Sequence, residues 1–156
     1  DRHVLDSAQL VKFIDFYDGL SLSDLGTGAG FPGIVLAIFN RNDKFHVKLY
    51  EKSRVKNKFL YTICQNLNIN AKIYEDDYNN HEIISNYVVS RAFKKLEEHI
   101  RISREIVKVN HKLIILKGRT AEEEIIKLNK DLNYSYTLEK SMTSPDSKIV
   151  IVKIKK

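Results

Sequence analysis

Three glycines spaced two apart, Gly26, Gly28 and Gly30, follow the apolar stretch Leu22-Ser-Asp-Leu25 and precede Phe31-Pro-Gly33 and the run Ile34 to Phe39. That order reads as strand, glycine loop, helix. Residues without a Cβ let the backbone turn sharply and approach a ligand closely. Pro32 suits a first helical turn, whose unpaired amides form a polar cradle. A nucleotide-like ligand fits such a loop, and two classes compete for it. Gly28-x-Gly30-x-x-Gly33 matches the spacing that seats a dinucleotide's pyrophosphate on a helix N-terminus. Asp24-x-Gly26-x-Gly28-x-Gly30 instead sets a carboxylate at the strand end, where it repels a pyrophosphate and attracts the ammonium or sulfonium of S-adenosylmethionine. The spacing alone does not choose; the acid favours the methyl donor.

Glu51 closes a second strand about twenty residues further on, where a carboxylate can accept the hydroxyl protons of an adenosine ribose. A third strand ends at the acidic turn Glu75-Asp76-Asp77-Tyr78, a candidate for the adenine. Cations gather at loop ends: Lys52, Arg54, Lys56 and Lys58 at a helix entry, then Arg91, Lys94 and Lys95 after a later strand. The five histidines are scattered without metal-ligand spacing, so no metal is expected.

The elements that must position these residues alternate along the chain. Helical spacing runs from Asp1 to about Phe16, with Val4, Ala8 and Val11 recurring. Strands are predicted at Lys44 to Tyr50, Ala71 to Tyr74, Tyr87 to Ser90 and Lys112 to Leu116. Between them lie helices over Arg54 to about Leu67 and Lys94 to about Asn110. Thr120-x-x-Glu123 resembles a capping box opening a helix to about Lys130. Two alternating stretches, Tyr134 to Lys140 and Lys148 to Lys155, flank a turn-rich segment and predict an antiparallel hairpin. The expected fold is therefore α/β, a Rossmann-like, mostly parallel seven-stranded sheet closed by a C-terminal antiparallel hairpin.

A chain of 156 residues has the length of one domain, and 43% hydrophobic with 29% charged residues is a globular composition. The single Cys64 excludes an internal disulfide framework. No apolar run approaches the roughly twenty residues needed to span a bilayer, so a soluble cytoplasmic protein is expected. A formal charge of +6 points to a polyanionic partner. A dehydrogenase would need an added substrate domain, for which the chain has no room.

Arg2-His3-x-Leu5-Asp6-Ser7, the glycine motif through Phe31-Pro-Gly33, Ser90-Arg91-Ala92-Phe93 and Leu116-Lys117-Gly118, in this order, resemble the bacterial small-subunit (16S) ribosomal RNA guanine-N(7) methyltransferase family, also called the glucose-inhibited division protein B family. The resemblance covers essentially the whole chain and implies the seven-stranded S-adenosylmethionine-dependent methyltransferase fold. It implies methyl transfer from S-adenosylmethionine to N(7) of a guanosine in 16S ribosomal RNA, which needs no general base. It implies cofactor contacts at Gly26, Phe31, the turn Asp76, Asp77 and Tyr78, and Arg91, which also positions the reactants; with Asp24, Gly28, Gly30 and Glu51 from the loop and strand ends these are the expected cofactor residues. For RNA the candidates are Arg2, His3, Lys94, Lys95, Lys117 and Arg119. A monomer acting on the RNA or the small subunit, with no membrane and no metal, completes the expectation. Relatives carry a helical segment ahead of the position of Asp1, so residues 1–156 are expected to be a single methyltransferase domain lacking it. Two rival readings stand beside this one: a non-catalytic RNA- or ribosome-binding module on the same fold, and an oxidoreductase binding a nicotinamide dinucleotide.

Overall fold

The computed structural model describes residues 2–91, 94–128 and 134–156. Seven strands form one sheet: β1 (Ser21–Leu25), β2 (His46–Tyr50), β3 (Lys72–Tyr74), β4 (Tyr87–Arg91), β5 (His111–Lys117), β6 (Tyr134–Lys140) and β7 (Lys148–Ile154). Their spatial order is β3-β2-β1-β4-β5-β7-β6. The first five are parallel, and β7 inserts antiparallel between β5 and β6. The order reverses between β1 and β4, and ligands of open α/β sheets sit outside the carboxyl ends of the strands at such a switch point.

Period-two alternation on β4, β5 and β7 explains why both faces must be covered. Tyr87, Val89, Ile114, Ile149 and Ile151 point into one apolar layer, which is closed by α2 (Gly33–Phe39), α3 (Arg54–Asn66) and the turn that follows α1 (Arg2–Ala8), through Ile34, Leu36, Leu60 and Leu10. Val88, Leu113, Ile115, Val150 and Val152 point into the other, closed by α4 (Leu96–Ile106) and α5 (Ala121–Ile126). A strand with apolar residues on both faces is stable only between two helical layers.

Element boundaries depart from the periodicity in three places. The first helix does not run to Phe16: α1 ends at Ala8, a 3₁₀ turn spans Gln9–Phe13, and Ile14 is already extended. Polar side chains fix that break. Gln9 accepts the Met142 N–H at 2.9 Å and donates to Ser141 at 3.1 Å, so α1 is tied to the β6–β7 turn. Asp6 accepts from the Thr143 hydroxyl of the same turn. The fourth helix ends at Ile106 rather than Asn110, because Val107 leaves it to bridge Ile83. At α5 no capping box forms: Thr120 has helical dihedrals and its hydroxyl donates to the Glu124 carboxylate at 2.7 Å. Lys130, the expected end of that helix, and Ala92 and Phe93 of the Ser-Arg-Ala-Phe motif lie outside the described residues.

Candidate functional site

The glycine loop sits where β1 delivers it. Gly26, Gly28 and Gly30 have φ of 69°, 63° and 95°, a left-handed region that disfavours any side chain. Gly33 is required for a different reason, close approach. A Cβ there would stand 2.3 Å from Leu49 Cδ2 and 2.6 Å from Asp24 Oδ2.

Asp24 is not on the ligand side. It is fully buried under the loop, where Oδ2 accepts the Thr27 hydroxyl at 2.6 Å and the Gly33 N–H at 2.7 Å. Burial pushes its pKa up to about 7, against the opposing pull of those two hydrogen bonds and of the Arg91 charge. Oδ1 has no hydrogen-bond partner among the described residues. The expected direct contact with the cofactor is therefore corrected: Asp24 braces the loop from beneath.

The amides of the loop are likewise spoken for. Gly28 N–H donates to Glu51 Oε2 at 3.0 Å. Gly30 and Phe31 donate to the Thr27 carbonyl, and Ile34 to the Gly30 carbonyl. The protein's own acceptors thus fill much of the cradle of unpaired amides that the sequence suggested. A pyrophosphate would have to displace two carboxylates to reach it, which argues against a dinucleotide more strongly than spacing does.

A cavity of about 420 Å³ opens beside the loop, lined by Gly26, Tyr50, Glu51, Asp76, Asp77 and Tyr78, together with Lys52, Lys56, Asn79 and Lys94. Its size falls within the range of small-molecule sites, roughly 300–1,000 Å³. Glu51 is its most constrained acid, 6% exposed, with Oε1 accepting the Ser53 N–H at 2.8 Å. Its own backbone carbonyl takes the Asn57 amide at 2.8 Å. Each carboxylate oxygen accepts one backbone amide, from Gly28 or Ser53, and has a second lone pair, in number enough for a pair of ribose hydroxyls. Asp76 and Asp77 instead cap the short turn Tyr78–Asn80: Asp77 accepts from the Asn79 N–H, and Asp76 from the Asp77 N–H and the Asn80 amide. Hydrogen bonds from Asn80 and the Asp77 amide hold the Asp76 pKa low. Behind them Tyr50 and Tyr74 stack at 4.6 Å, with the His81 edge against both. Burial drives the Tyr50 hydroxyl up to about 12, so it stays neutral. An adenosine is the group these residues fit: acceptors for a ribose, a turn of backbone and a half-buried tyrosine for a base.

The second cavity, about 230 Å³, lies along the ends of β4 and β5 and is lined by Arg2, His3, Asp6, Arg91, Leu116, Lys117, Gly118 and Ser147. Asp24 pairs with Val89 across β1 and β4, so Gly26 and Arg91, two residues beyond each, leave adjacent strand ends. Arg91 thus lines the second cavity while acting electrostatically on Asp24 under the first. The loop between the cavities carries Phe31, half-buried with its ring 6.0 Å from that of His3 and part of neither lining.

Of the cations expected to meet RNA, Arg2 and His3 are at the second cavity with Arg91. Lys94 is moved to the first, where it pairs with Glu98. Lys117 also lines the second cavity, but its side chain is only 5% exposed and its ammonium is held by Glu124 at 2.8 Å. Lys95 and Arg119 are exposed and line neither cavity; Arg119 pairs with Asp146 at 3.2 Å. The cluster at the α3 entry also divides, for Lys52 pairs with Asp77 and Lys56 with Glu51 at the cofactor-type cavity. Thr27, Ser53, Asn57 and Tyr50 escaped the sequence reading. Only Tyr50, the residue before Glu51 at a strand end, carried a local signal.

This fold and glycine site define the class of S-adenosylmethionine-dependent methyltransferase folds. A solved structure of that class, a SAM-dependent methyltransferase from Aquifex aeolicus, matches with a TM-score of 0.73 at 16% identity, covering 97% of this chain and 91% of that one. The sequence profile of the family described as rRNA small subunit methyltransferase G matches residues 1–150. Ribosomal RNA small subunit methyltransferase G of Pelagibacter ubique (strain HTCC1062) is 31% identical over 160 residues, 100% of this chain and 75% of that protein. Its counterpart in Rickettsia felis is 34% identical over 151 residues, 97% of this chain and 76% of that protein. The chain belongs to the rRNA small subunit methyltransferase G family.

Proposed function

We propose that the chain transfers a methyl group from S-adenosylmethionine to N(7) of a guanosine in 16S ribosomal RNA, with the adenosine in the cavity at Glu51 and the target nucleotide at Arg91. The observation that carries this reading is the adjacency of two unlike cavities across the β1–β4 switch: one walled by acceptors and an aromatic turn, the other by Arg2, His3 and Arg91. When bound, S-adenosylmethionine supplies an electrophilic methyl on a sulfonium. Guanine N(7) already holds a lone pair, so no proton has to be abstracted and no base or Lewis acid is required. What the protein must supply is placement, for which effective molarities are large. Glu51 and the Asp77–Asn79 turn fix the cofactor's adenosine end, and the Arg91 and Arg2 guanidiniums meet phosphate oxygens of the nucleotide. The reading includes a monomer working in the cytoplasm as a single domain, without a metal.

The test is methylation of 16S ribosomal RNA, bare and in small subunits, by full-length protein, with the product nucleosides mapped by mass spectrometry. 7-Methylguanosine at one site is expected. Arg91→Ala should lower single-turnover methylation about a hundredfold, the order expected for a misplacement of about 1 Å, with cofactor affinity changed less than threefold. No methyl transfer, or transfer to another atom, overturns the assignment.

A further inference from the structure

One charge cluster, its lysine buried and its carboxylate partly so, is left over once the two cavities have been assigned. Lys117, the last residue of β5, points its ammonium inward. It donates to the Lys94 carbonyl at 3.0 Å and pairs with Glu124 Oε2 at 2.8 Å. Glu124, on α5, gathers two more donors: the Leu96 N–H at 2.6 Å, at the first residue of α4, and the Thr120 hydroxyl at 2.7 Å. Three separate loop ends, after β4, after β5 and at the start of α5, thus converge on one cation and one carboxylate.

We propose that Lys117 and Glu124 are positioning residues for methyl transfer, a clasp that holds the wall of the cofactor cavity and the wall of the nucleotide cavity in one frame. Lys94, whose carbonyl the clasp grips, lines the first cavity; Lys117 and Gly118 line the second. Leu116, the residue before Lys117, is the register partner of Arg91. A shift of Lys117 therefore moves the strand end beside Arg91 and, through the Lys94 carbonyl, the opposite wall with it. Stability alone does not explain the pair. Taking two charges out of water costs about as much as their attraction returns, and well-packed apolar pairs often replace buried ion pairs without loss. A rigid hydrogen-bonded frame, in contrast, is what transfer between two bound partners requires.

The inference rests on the proposed two-cavity reading, and its test separates the two. In the full-length protein, Lys117→Met combined with Glu124→Leu removes both charges and leaves neither orphaned. Measured together are melting temperature, affinity for S-adenosylmethionine, affinity for 16S ribosomal RNA, and single-turnover methylation at saturating concentrations of both. The expected result is a melting temperature near that of the parent, both affinities within about threefold, and a transfer rate about a hundredfold lower. Glu124→Gln, which keeps the hydrogen-bonding shape, should recover most of the rate. A double variant with the parental rate, or a lost rate that follows lost affinity, overturns the clasp. Should the double variant melt below the assay temperature, Glu124→Asp carries the test. It keeps the charge and shortens the reach by one methylene, and an unchanged rate there overturns the clasp, whereas a lower rate at unchanged affinities supports it. Parent protein that methylates no ribosomal RNA overturns the two-cavity reading itself.

Discussion

The two cavities are built on opposite principles. Around the glycine loop nearly every polar group is answered by the protein: Gly28 and Ser53 amides by Glu51, Gly33 and Thr27 by Asp24, and Asn79 by Asp77. Recognition there is by preset shape, with spare lone pairs rather than spare groups. At the second cavity Arg2 and His3 are exposed and Arg91 is half-buried at the end of the central strand β4. A small cofactor that must sit in one pose is met by rigidity; a long polyanion is met by guanidiniums that can follow it. The comparison predicts that damage on the cofactor side is structural first and that damage on the RNA side leaves the fold intact.

The largest effect is expected at Gly33. An added Cβ meets Leu49 and Asp24 together, and both side chains are fully buried, so neither can swing aside. Gly33→Ala should cost roughly 3 kcal/mol or more, the upper range for overpacking, seen as a melting temperature lower by about 6–12 °C for a chain of this size. A melt within 2 °C of the parent would show that the loop yields more easily than its geometry implies.

A buried titrating group lies under each region, and the two pull stability in opposite directions. Asp24 has its pKa raised to about 7 by burial, so the folded state holds a proton that the unfolded state has lost. Its contribution favours folding at low pH and fades as pH rises from about 4 to about 7. His99, beside Lys117 and Lys94, has its pKa lowered to about 4 by burial and by those two charges. The unfolded state takes up that proton first, so stability falls as pH drops from about 6.5 to about 4. His111 is shifted down as well, by burial. Each large shift corresponds to a few kcal/mol, at about 1.4 kcal/mol per unit, so Asp24 and His99 nearly cancel between about pH 4.5 and 6.5, and His111 leaves the parent a gentle rise with pH. Asp24→Asn should steepen that rise, and His99→Gln should reduce or reverse it. Urea titrations across that window decide, and parallel slopes in both variants would refute the opposition.

Glu51 tests whether the cofactor side can lose a contact without losing its loop. Glu51→Ala removes the acceptor for two amides and for the ligand, so S-adenosylmethionine affinity should fall by about ten- to a hundredfold, or roughly 1.5–3 kcal/mol. Glu51→Gln keeps one acceptor and turns a donor toward one of those amides, so calorimetry should place it between the two. An unchanged affinity in folded Glu51→Ala would detach the carboxylate from binding.

How much of this was readable in sequence follows the same divide. The strands' places along the chain, the glycine loop and Glu51 at a strand end are written in local period and spacing, and the hairpin at the C-terminus in alternation alone. The loop's bracing was not legible, because Asp24, Thr27 and Gly33 meet only after the chain has turned. Glu51 was read as a ligand group, yet half of its capacity goes to Gly28 and Ser53, one of them 23 residues away. Lys117, in the Leu116-Lys117-Gly118 motif, reads as an exposed contact for RNA. Its burial depends on Glu124 arriving from α5, and nothing in the spacing distinguishes a cation that will be clasped from one that will be solvated.

The smallest effects are expected from cations outside both cavities, and they sharpen the comparison most. Lys95 and Arg119 are exposed, so each can reach phosphate only in a diffuse, screened way. If the RNA side works by charge rather than by fit, binding of 16S ribosomal RNA should weaken steeply with salt as counterions are retained, while S-adenosylmethionine affinity stays nearly level. Lys95→Glu and Arg119→Glu should each lower RNA affinity severalfold at low salt and reduce the slope of log affinity against log salt by about 1. The Arg119 effect should be the weaker, because Asp146 already neutralises part of its charge at 3.2 Å. Neither variant should move the melting temperature or cofactor affinity, since neither side chain is buried. RNA affinities measured from low to high salt, with cofactor affinities in parallel, give the result. A salt slope unchanged in both variants would confine RNA contact to the ring of Arg2, His3 and Arg91, and a cofactor affinity that tracked salt as strongly as RNA binding would erase the difference between the two cavities.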